Sequence, residues 1–318
     1  MQPRILVVGS LNMDLRLSLR RMPQPGETCF GETYTYIPGG KGANQAVAAV
    51  RLGAKVTFFG RRGKDAHGVA LADALQMENI DLSFLTIDPE HQTGLAVIPV
   101  EENGQNRIVV FSGANMQLQP ADLYTVFEEK YDAVITQLEI PLETVLALHD
   151  LTGEEKIPLI LDAGPAMKLP LERLSGIEII SPNETETAAL TGISVVDEAS
   201  ALDAARLLYQ RACPRYVILK LGGKGALLYG GDAHRFYPAY PVKAVDTTAA
   251  GDAFTAALTA RYIETGNIDE AIKYANAAGA LAVTRAGAQP SLPTAAQLEC
   301  FQASLCNAVV KSGGGSDE

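Results

Sequence analysis

A succession of short apolar runs punctuates this chain of 318 residues, at 5–8, 56–60, 133–138, 159–162, 177–181 and 216–221. Such runs, bounded by turn residues, read as strands buried on both faces. Helical patterns at 43–52, 66–78, 142–151, 199–211, 250–264, 268–282 and 295–309 fall between or after them. Neighbouring parallel strands need a crossover, and a helix is the usual one. The pattern predicts an α/β fold, a doubly wound, mostly parallel sheet with helices on both faces. A hairpin over 226–237 varies the alternation. No repeat or internal linker is visible. The reading is one domain over residues 1–310, and a disordered tail over the Gly-rich 311–318. A hydrophobic content of 47% suffices for one large core with a small appendage.

Two excursions leave the strand-helix pattern. Leu15, Leu17 and Leu19 alternate with Arg16, Ser18 and Arg20, the period of a half-exposed strand. Residues 29–37 are strand-like too, as are 93–100 and 107–111 around the turn 101–104. With no helices between them, they predict a small separate β-sheet inserted at about 15–37 and 93–111.

A net charge of −11 and a pI near 4.9 argue against nucleic acid or an anionic membrane as main partner. A locally positive pocket for a small anion stays open. The four cysteines and four histidines show no metal-ligand spacing, and reduced thiols fit a cytosolic protein. No apolar stretch is long enough for a signal core or a membrane span, so the expectation is a soluble, cytoplasmic protein.

The stretch 245–254 carries the sharpest chemical signal. Ala249, Ala250 and Gly251 allow a tight backbone turn into a helix, whose first amides lack internal partners and suit a phosphate. Asp252 sits just inside. It is either a base for an attacking hydroxyl or a plain acidic residue at a helix start. Gly39, Gly40 and Gly42 surround Lys41 ahead of another helix; with no Ser or Thr after the lysine this is no Walker loop. It is either a tight turn or a ligand approach, with Asn44 suited to a sugar hydroxyl. Asn12 and Asp14 follow the first strand, where ligands of open α/β sheets bind. Asn183 and Glu186 are either an N-cap with its capping-box acid or oxygen donors for Mg²⁺. Residues 220–225 are either a hairpin turn or a close approach for a nucleotide.

The order of these motifs resembles the ribokinase family of sugar kinases. The resemblance runs through Gly9, Asn12 and Asp14, then 39–44, then Gln137, Leu138 and Glu139, then Asn183 and Glu186, then Asp246 to Asp252. It covers roughly residues 4–300 and is closest at 39–49 and 282–291. It implies a ribokinase-like domain with a β-sheet lid, and a homodimer formed through the lid. It implies transfer of the γ-phosphoryl of ATP, with Mg²⁺, to a sugar hydroxyl, most closely O5 of D-ribose. Asp252 would be the base, and Ala249, Ala250 and Gly251 the anion hole. Asn12, Met13, Asp14, Gly40, Lys41, Gly42, Ala43, Asn44, Glu139 and Asp252 would surround the sugar. Asn183, Lys220, Leu221, Gly222, Gly223, Lys224, Gly225, Gly251, Asp252 and Asn276 would surround the nucleotide, with Glu186 organising the Mg²⁺ shell through water. A K⁺ cage would come from Asp246, Thr248, Ala282, Arg285, Gly287 and Ser291. The plainer alternative there is that Asp246 caps its turn and pairs with Arg285. Two positions depart from the family pattern: Asp162 begins Asp-Ala-Gly-Pro-Ala where Asn-Pro-Ala-Pro-Ala is frequent, and Lys220 replaces a frequent Thr. Rival readings are a related kinase of deoxyribose, fructose or a nucleoside, and a sugar-binding regulator without catalysis. A dehydrogenase is disfavoured because Gly-x-Gly-x-x-Gly does not follow the first strand.

Overall fold

A computed structural model describes residues 2–231 and 233–312. In chain order the strands are β1 (Arg4–Val8), β2 (Asn12–Leu19), β3 (Thr33–Gly39), β4 (Lys55–Gly63), β5 (Leu85–Asp88), β6 (Gly94–Glu101) and β7 (Val109–Phe111). They continue with β8 (Ala133–Thr136), β9 (Leu159–Asp162), β10 (Ile179–Ser181), β11 (Tyr216–Lys220), β12 (Ala226–Tyr229) and β13 (His234–Tyr237). The helices are α1 (Lys41–Arg51), α2 (Ala66–Met77), α3 (Leu142–Glu155), α4 (Glu184–Thr191), α5 (Glu198–Ala212), α6 (Ala250–Thr265), α7 (Ile268–Ala282) and α8 (Ala295–Ser312).

The main sheet has nine strands in the order β13-β12-β11-β10-β9-β8-β1-β4-β5. From β11 to β5 every pairing is parallel; β12 and β13 add an antiparallel edge. Alternate side chains feed two cores. Ile5 and Val7 of β1 face the core made with α1, α6 and α7, while Leu6 and Val8 face the core made with α3 and α5. This double burial explains why the strands read as continuous apolar runs. The chain passes from β1 to β4 on one side and returns to β8 on the other. The carboxyl ends of β1 and β8 therefore flank a crevice, the usual ligand position of an open α/β sheet.

The predicted excursions form a second sheet of four strands, ordered β3-β2-β6-β7, with β2 and β6 parallel. Its boundaries differ from the sequence reading. Residues 29–32 are not strand, and β7 begins at Val109 rather than 107. The predicted helix over 43–52 starts two residues earlier, at Lys41. The short edge strand β5 and the 3-10 turns over 113–128 were not foreseen, because neither carries a sustained period. Of the tail expected to be disordered, 311 and 312 end α8, and 313–318 lie outside the described residues. Among the described residues no helix is long and apolar enough to cross a membrane.

Ile160 lies at the centre of β9 with no exposed surface. Ile160→Ala should destabilise the fold by about 2–5 kcal/mol, as expected for a cavity in a sheet core. Denaturant unfolding measures this, and a loss under about 1 kcal/mol would contradict the packing described.

Candidate active site

The carboxyl ends of β1, β8, β9 and β11 meet the N-termini of α1 and α6. Ala249, which precedes α6, is left-handed at φ 59°, a costly conformation for a residue with a Cβ. The strained turn sends the chain directly into α6. Among the described residues neither the Gly251 nor the Asp252 amide has a backbone acceptor, so both are free for an anion.

Asp252 is only 4% exposed. Its Oδ2 accepts from Asn44 Nδ2 at 2.9 Å and its Oδ1 from Gln45 Nε2 at 3.2 Å. The same Gln45 amide donates to Asp162 Oδ2 at 2.8 Å, and Gln45 Oε1 accepts from Gln137 Nε2 at 2.6 Å. Burial pushes Asp252 up to about 6; the Lys41 ammonium counteracts this, and the Asp162 carboxylate adds to it. Asp162, though wholly buried, is held below the usual carboxylate range, because Lys220 and Lys41 outweigh its desolvation. Burial likewise opposes the charge on Lys41. The carboxylates of Asp162, Asp252, Glu186 and Glu139 overcome it and hold the ammonium above its ordinary pKa.

A second group of side chains lies at the root of the small sheet. Glu139 Oε2 accepts from the Ser10 hydroxyl, from the Lys41 amide at 3.2 Å and from Asn12 Nδ2 at 3.4 Å. Asn115 Nδ2 donates to Asn12 Oδ1 at 2.8 Å and so fixes its orientation. Burial, then the charges of Glu139 and Asp252, push Asp14 up to about 7. The glycines are required by close approach. Gly40 has φ 90°, and a Cβ there would lie 2.6 Å from the Asn12 nitrogen; one at Gly42 would lie 2.7 Å from Ser10 backbone atoms. Met13 and Ala43 bury their side chains in the core beneath this surface.

On the opposite side opens a cavity of 630 Å³, lined by Lys41, Asn183, Glu186, Lys220, Gly222, Gly223, Gly225, Gly251, Asp252 and Asn276, among others. Asn183 and Glu186 form a reciprocal capping box at the start of α4, with bonds of 2.8 and 2.9 Å. The plainer of the two sequence readings is therefore realised. It leaves one Glu186 oxygen, Oε1, beside Gly164 and the Lys41 ammonium. Asn276 donates to the Tyr237 and Pro238 carbonyls, both at 3.3 Å. Two residues expected at the nucleotide turn away from this cavity. Lys224 donates to the Val196 carbonyl at 2.9 Å, drawn by an acceptor on the neighbouring loop, and Leu221 packs into the apolar core.

The two loops expected to hold a cation lie together. Asp246 accepts from the Thr248 amide and hydroxyl through Oδ1, and from the Gly287 amide at 3.0 Å through Oδ2. The expected alternative of a pair with Arg285 is not formed, since Arg285 donates to Gln297 at 3.2 Å instead. Ala282 is buried at the end of α7, and the Ser291 hydroxyl donates to the Ala288 carbonyl at 2.8 Å. Sequence reasoning passed over Ser10, Gln45, Asn115 and Thr255 as site residues. Gln45 carried a signal, a polar residue inside an alanine-rich helix; Asn115, 103 positions from its partner Asn12, carried none.

The raised pKa of Asp14 has a consequence for stability. Unfolded, the group ionises near 3.8; folded, near 7, so between these values the native state binds the extra proton. Stability from this group is therefore undiminished below the lower value and falls as pH rises toward the upper. Asp14→Asn should raise the melting temperature of the ligand-free protein at pH 8 and have a smaller effect at pH 5. An equal change at both pH values would contradict the raised pKa.

Residues 2–295 match the family model described as pfkB family carbohydrate kinase. A ribokinase of Haemophilus influenzae is 39% identical over 296 residues, covering 92% of this chain and 96% of the relative. A bifunctional ribokinase/ribose-5-phosphate isomerase A of Fructilactobacillus sanfranciscensis is 40% identical over 295 residues, covering 92% of this chain; the match spans 54% of that longer relative. A solved structure of Arabidopsis thaliana ribokinase complexed with ribose and ATP superposes with a TM-score of 0.87 at 34% identity, covering 95% of this chain and 99% of that one. With the match over nearly its whole length, the strained anion turn and the buried carboxylate beyond it, this chain belongs to the pfkB family of carbohydrate kinases.

Proposed function

We propose that this protein is an ATP-dependent ribokinase, transferring the γ-phosphoryl of ATP to O5 of D-ribose. The observation that carries the reading is Asp252. A carboxylate with a pKa of about 6 beside two free helix amides is a base next to an anion site. The O5 hydroxyl gives its proton to Asp252, and the oxygen attacks the γ-phosphorus. The bond from that phosphorus to the β,γ-bridging oxygen breaks, and ADP leaves with the electron pair. The Gly251 and Asp252 amides, with Ala249 and Ala250 shaping their turn, take the charge developing on the phosphoryl oxygens.

Asn12, Asp14, Asn44 and Glu139 supply the sugar contacts, with Gly40, Lys41 and Gly42 permitting close approach. Asn44 Oδ1 is buried without a partner among the described residues, which fits an acceptor kept for a hydroxyl. The turn 220–225, Asn183 and Asn276 border the nucleotide. Glu186, with one oxygen outside its capping box, is the residue that would hold Mg²⁺ through water; with ATP this ion neutralises phosphate charge. Asp246, the carbonyls of Thr248, Ala282, Arg285 and Gly287, and the Ser291 hydroxyl offer hard oxygen donors for K⁺, whose fixed charge would stiffen the loop leading to the anion hole. A homodimer through the lid is supported by the exposed apolar side chains of Tyr34, Tyr36, Val109 and Phe111 on one face of the small sheet. Free thiols at Cys29, Cys213 and Cys300 suit a reducing cytoplasm.

An ATP-consumption assay across pentoses, hexoses and nucleosides tests the reading; turnover with ribose should exceed that with deoxyribose or fructose. In the same assay Asp252→Asn should lower kcat by about 10²–10⁴, and the parent's kcat should fall below pH 6 as the base protonates. Near-normal turnover of the variant would remove Asp252 from the mechanism. At constant ionic strength the rate should rise with K⁺, less so with Na⁺, and Asp246→Ala should abolish the response. Equal rates in K⁺ and a bulky organic cation would refute the cation site.

A further inference from the structure

We propose that Lys220 is a phosphoryl-contacting residue of this site and that Asp162 is the positioning residue that aims it. The two stand at the carboxyl ends of β11 and β9, the edge of the sheet that faces the anion turn. Lys220 Nζ lies 2.7 Å from Asp162 Oδ1, with side-chain exposures of 10% and 0%. The ammonium also lies at the anion hole: a Cβ added at Gly251 would meet Lys220 Nζ at 3.7 Å. Lys220 lines the same cavity as Gly251 and Asp252.

The bonding of Asp162 explains the arrangement. Its Oδ2 is taken by Gln45 at 2.8 Å and Thr255 at 3.4 Å, so the carboxylate is fixed from the far side. Its Oδ1 engages one of the three ammonium hydrogens of Lys220. Among the described residues no second acceptor engages Lys220 Nζ, and the side chain lines the cavity. A buried ion pair is weak evidence for stability, since desolvation offsets most of the attraction. A pair with one member sealed and the other facing a cavity beside free amides is instead a cation held ready. The pair adds no net charge to the site, yet presents donors to a phosphoryl group in transit between ATP and an acceptor.

The inference rests on the kinase reading above, and the test separates the two. Asp162→Asn combined with Lys220→Thr removes both charges, so no buried charge is left alone. It should melt near the parent temperature and keep the parent KM for ribose. Its kcat should fall about 10–150-fold, as for a lost charged hydrogen bond. Its affinity for β,γ-imido-ATP should fall relative to that for ADP, measured by calorimetry. Parent-like turnover with an unchanged ratio of these affinities would make the pair structural and overturn the proposal. If the parent binds nucleotide but phosphorylates no sugar, the kinase reading fails while the affinity ratio still decides Lys220. Should the double variant not fold, Lys220→Arg keeps the pair and displaces its donors. The same shift in affinity ratio is then expected, and its absence counts against the contact.

Discussion

A carboxylate without solvent exposure cannot stay ionised unless its surroundings replace water, and Asp162 is such a carboxylate. Lys220, Gln45 and Thr255 satisfy it, and each arrives from a different element: β11, α1 and α6. Gln45 then passes the constraint to Asp252 by donating to both acids. The charges of the site are thereby bound to the geometry of the sheet. Displacing β9 against β11 would leave a buried charge unpaired, a loss of several kcal/mol. The arrangement also sorts the two acids. The cations favour ionised Asp162, while burial and the neighbouring charge of Asp162 leave Asp252 able to exchange its proton near neutral pH.

Asn12, Asp14 and the start of α1 cluster where the small sheet joins the large one. Asn12 opens β2 and pairs with Gly39, the last residue of β3, and α1 begins two residues later. Gly39, Gly40 and Gly42 let these three segments touch, since a Cβ at any of them would overlap Asp14, Asn12 or Ser10. A movement of the small sheet thus reaches Asp14, Asn12 and the start of α1 through one or two backbone bonds. Asn44, in the first turn of that helix, carries the connection on to Asp252.

Much of this was legible in the chain because it depends on local pattern. Strands buried on both faces must be continuously apolar, so β1, β8, β9 and β11 stood out. The small sheet betrayed itself by a change of period at Leu15, Leu17 and Leu19. Where the pattern was short or irregular, as at β5, residues 29–32 and the turns over 113–128, the reading erred. Asp252 drew notice because a carboxylate directly after Ala-Ala-Gly is unusual at a helix start. Asn115 drew none, since nothing local distinguishes an asparagine that orients Asn12 from one that faces water.

The sequence by itself therefore determined the alternation of strands and helices, the separate small sheet, and the identity of the turn and acid at the start of α6. Each is encoded within a few neighbouring residues, through side-chain period and backbone freedom. Only the tertiary structure decided which polar groups share a proton or a charge. It joined Asp162 to Lys220 across 58 positions and Asn44 to Asp252 across 208, and it turned Lys224 away from the cleft. The reason is electrostatic: the energy of a buried charge depends on distance in space and on exclusion of water, and neither is a property of position along the chain.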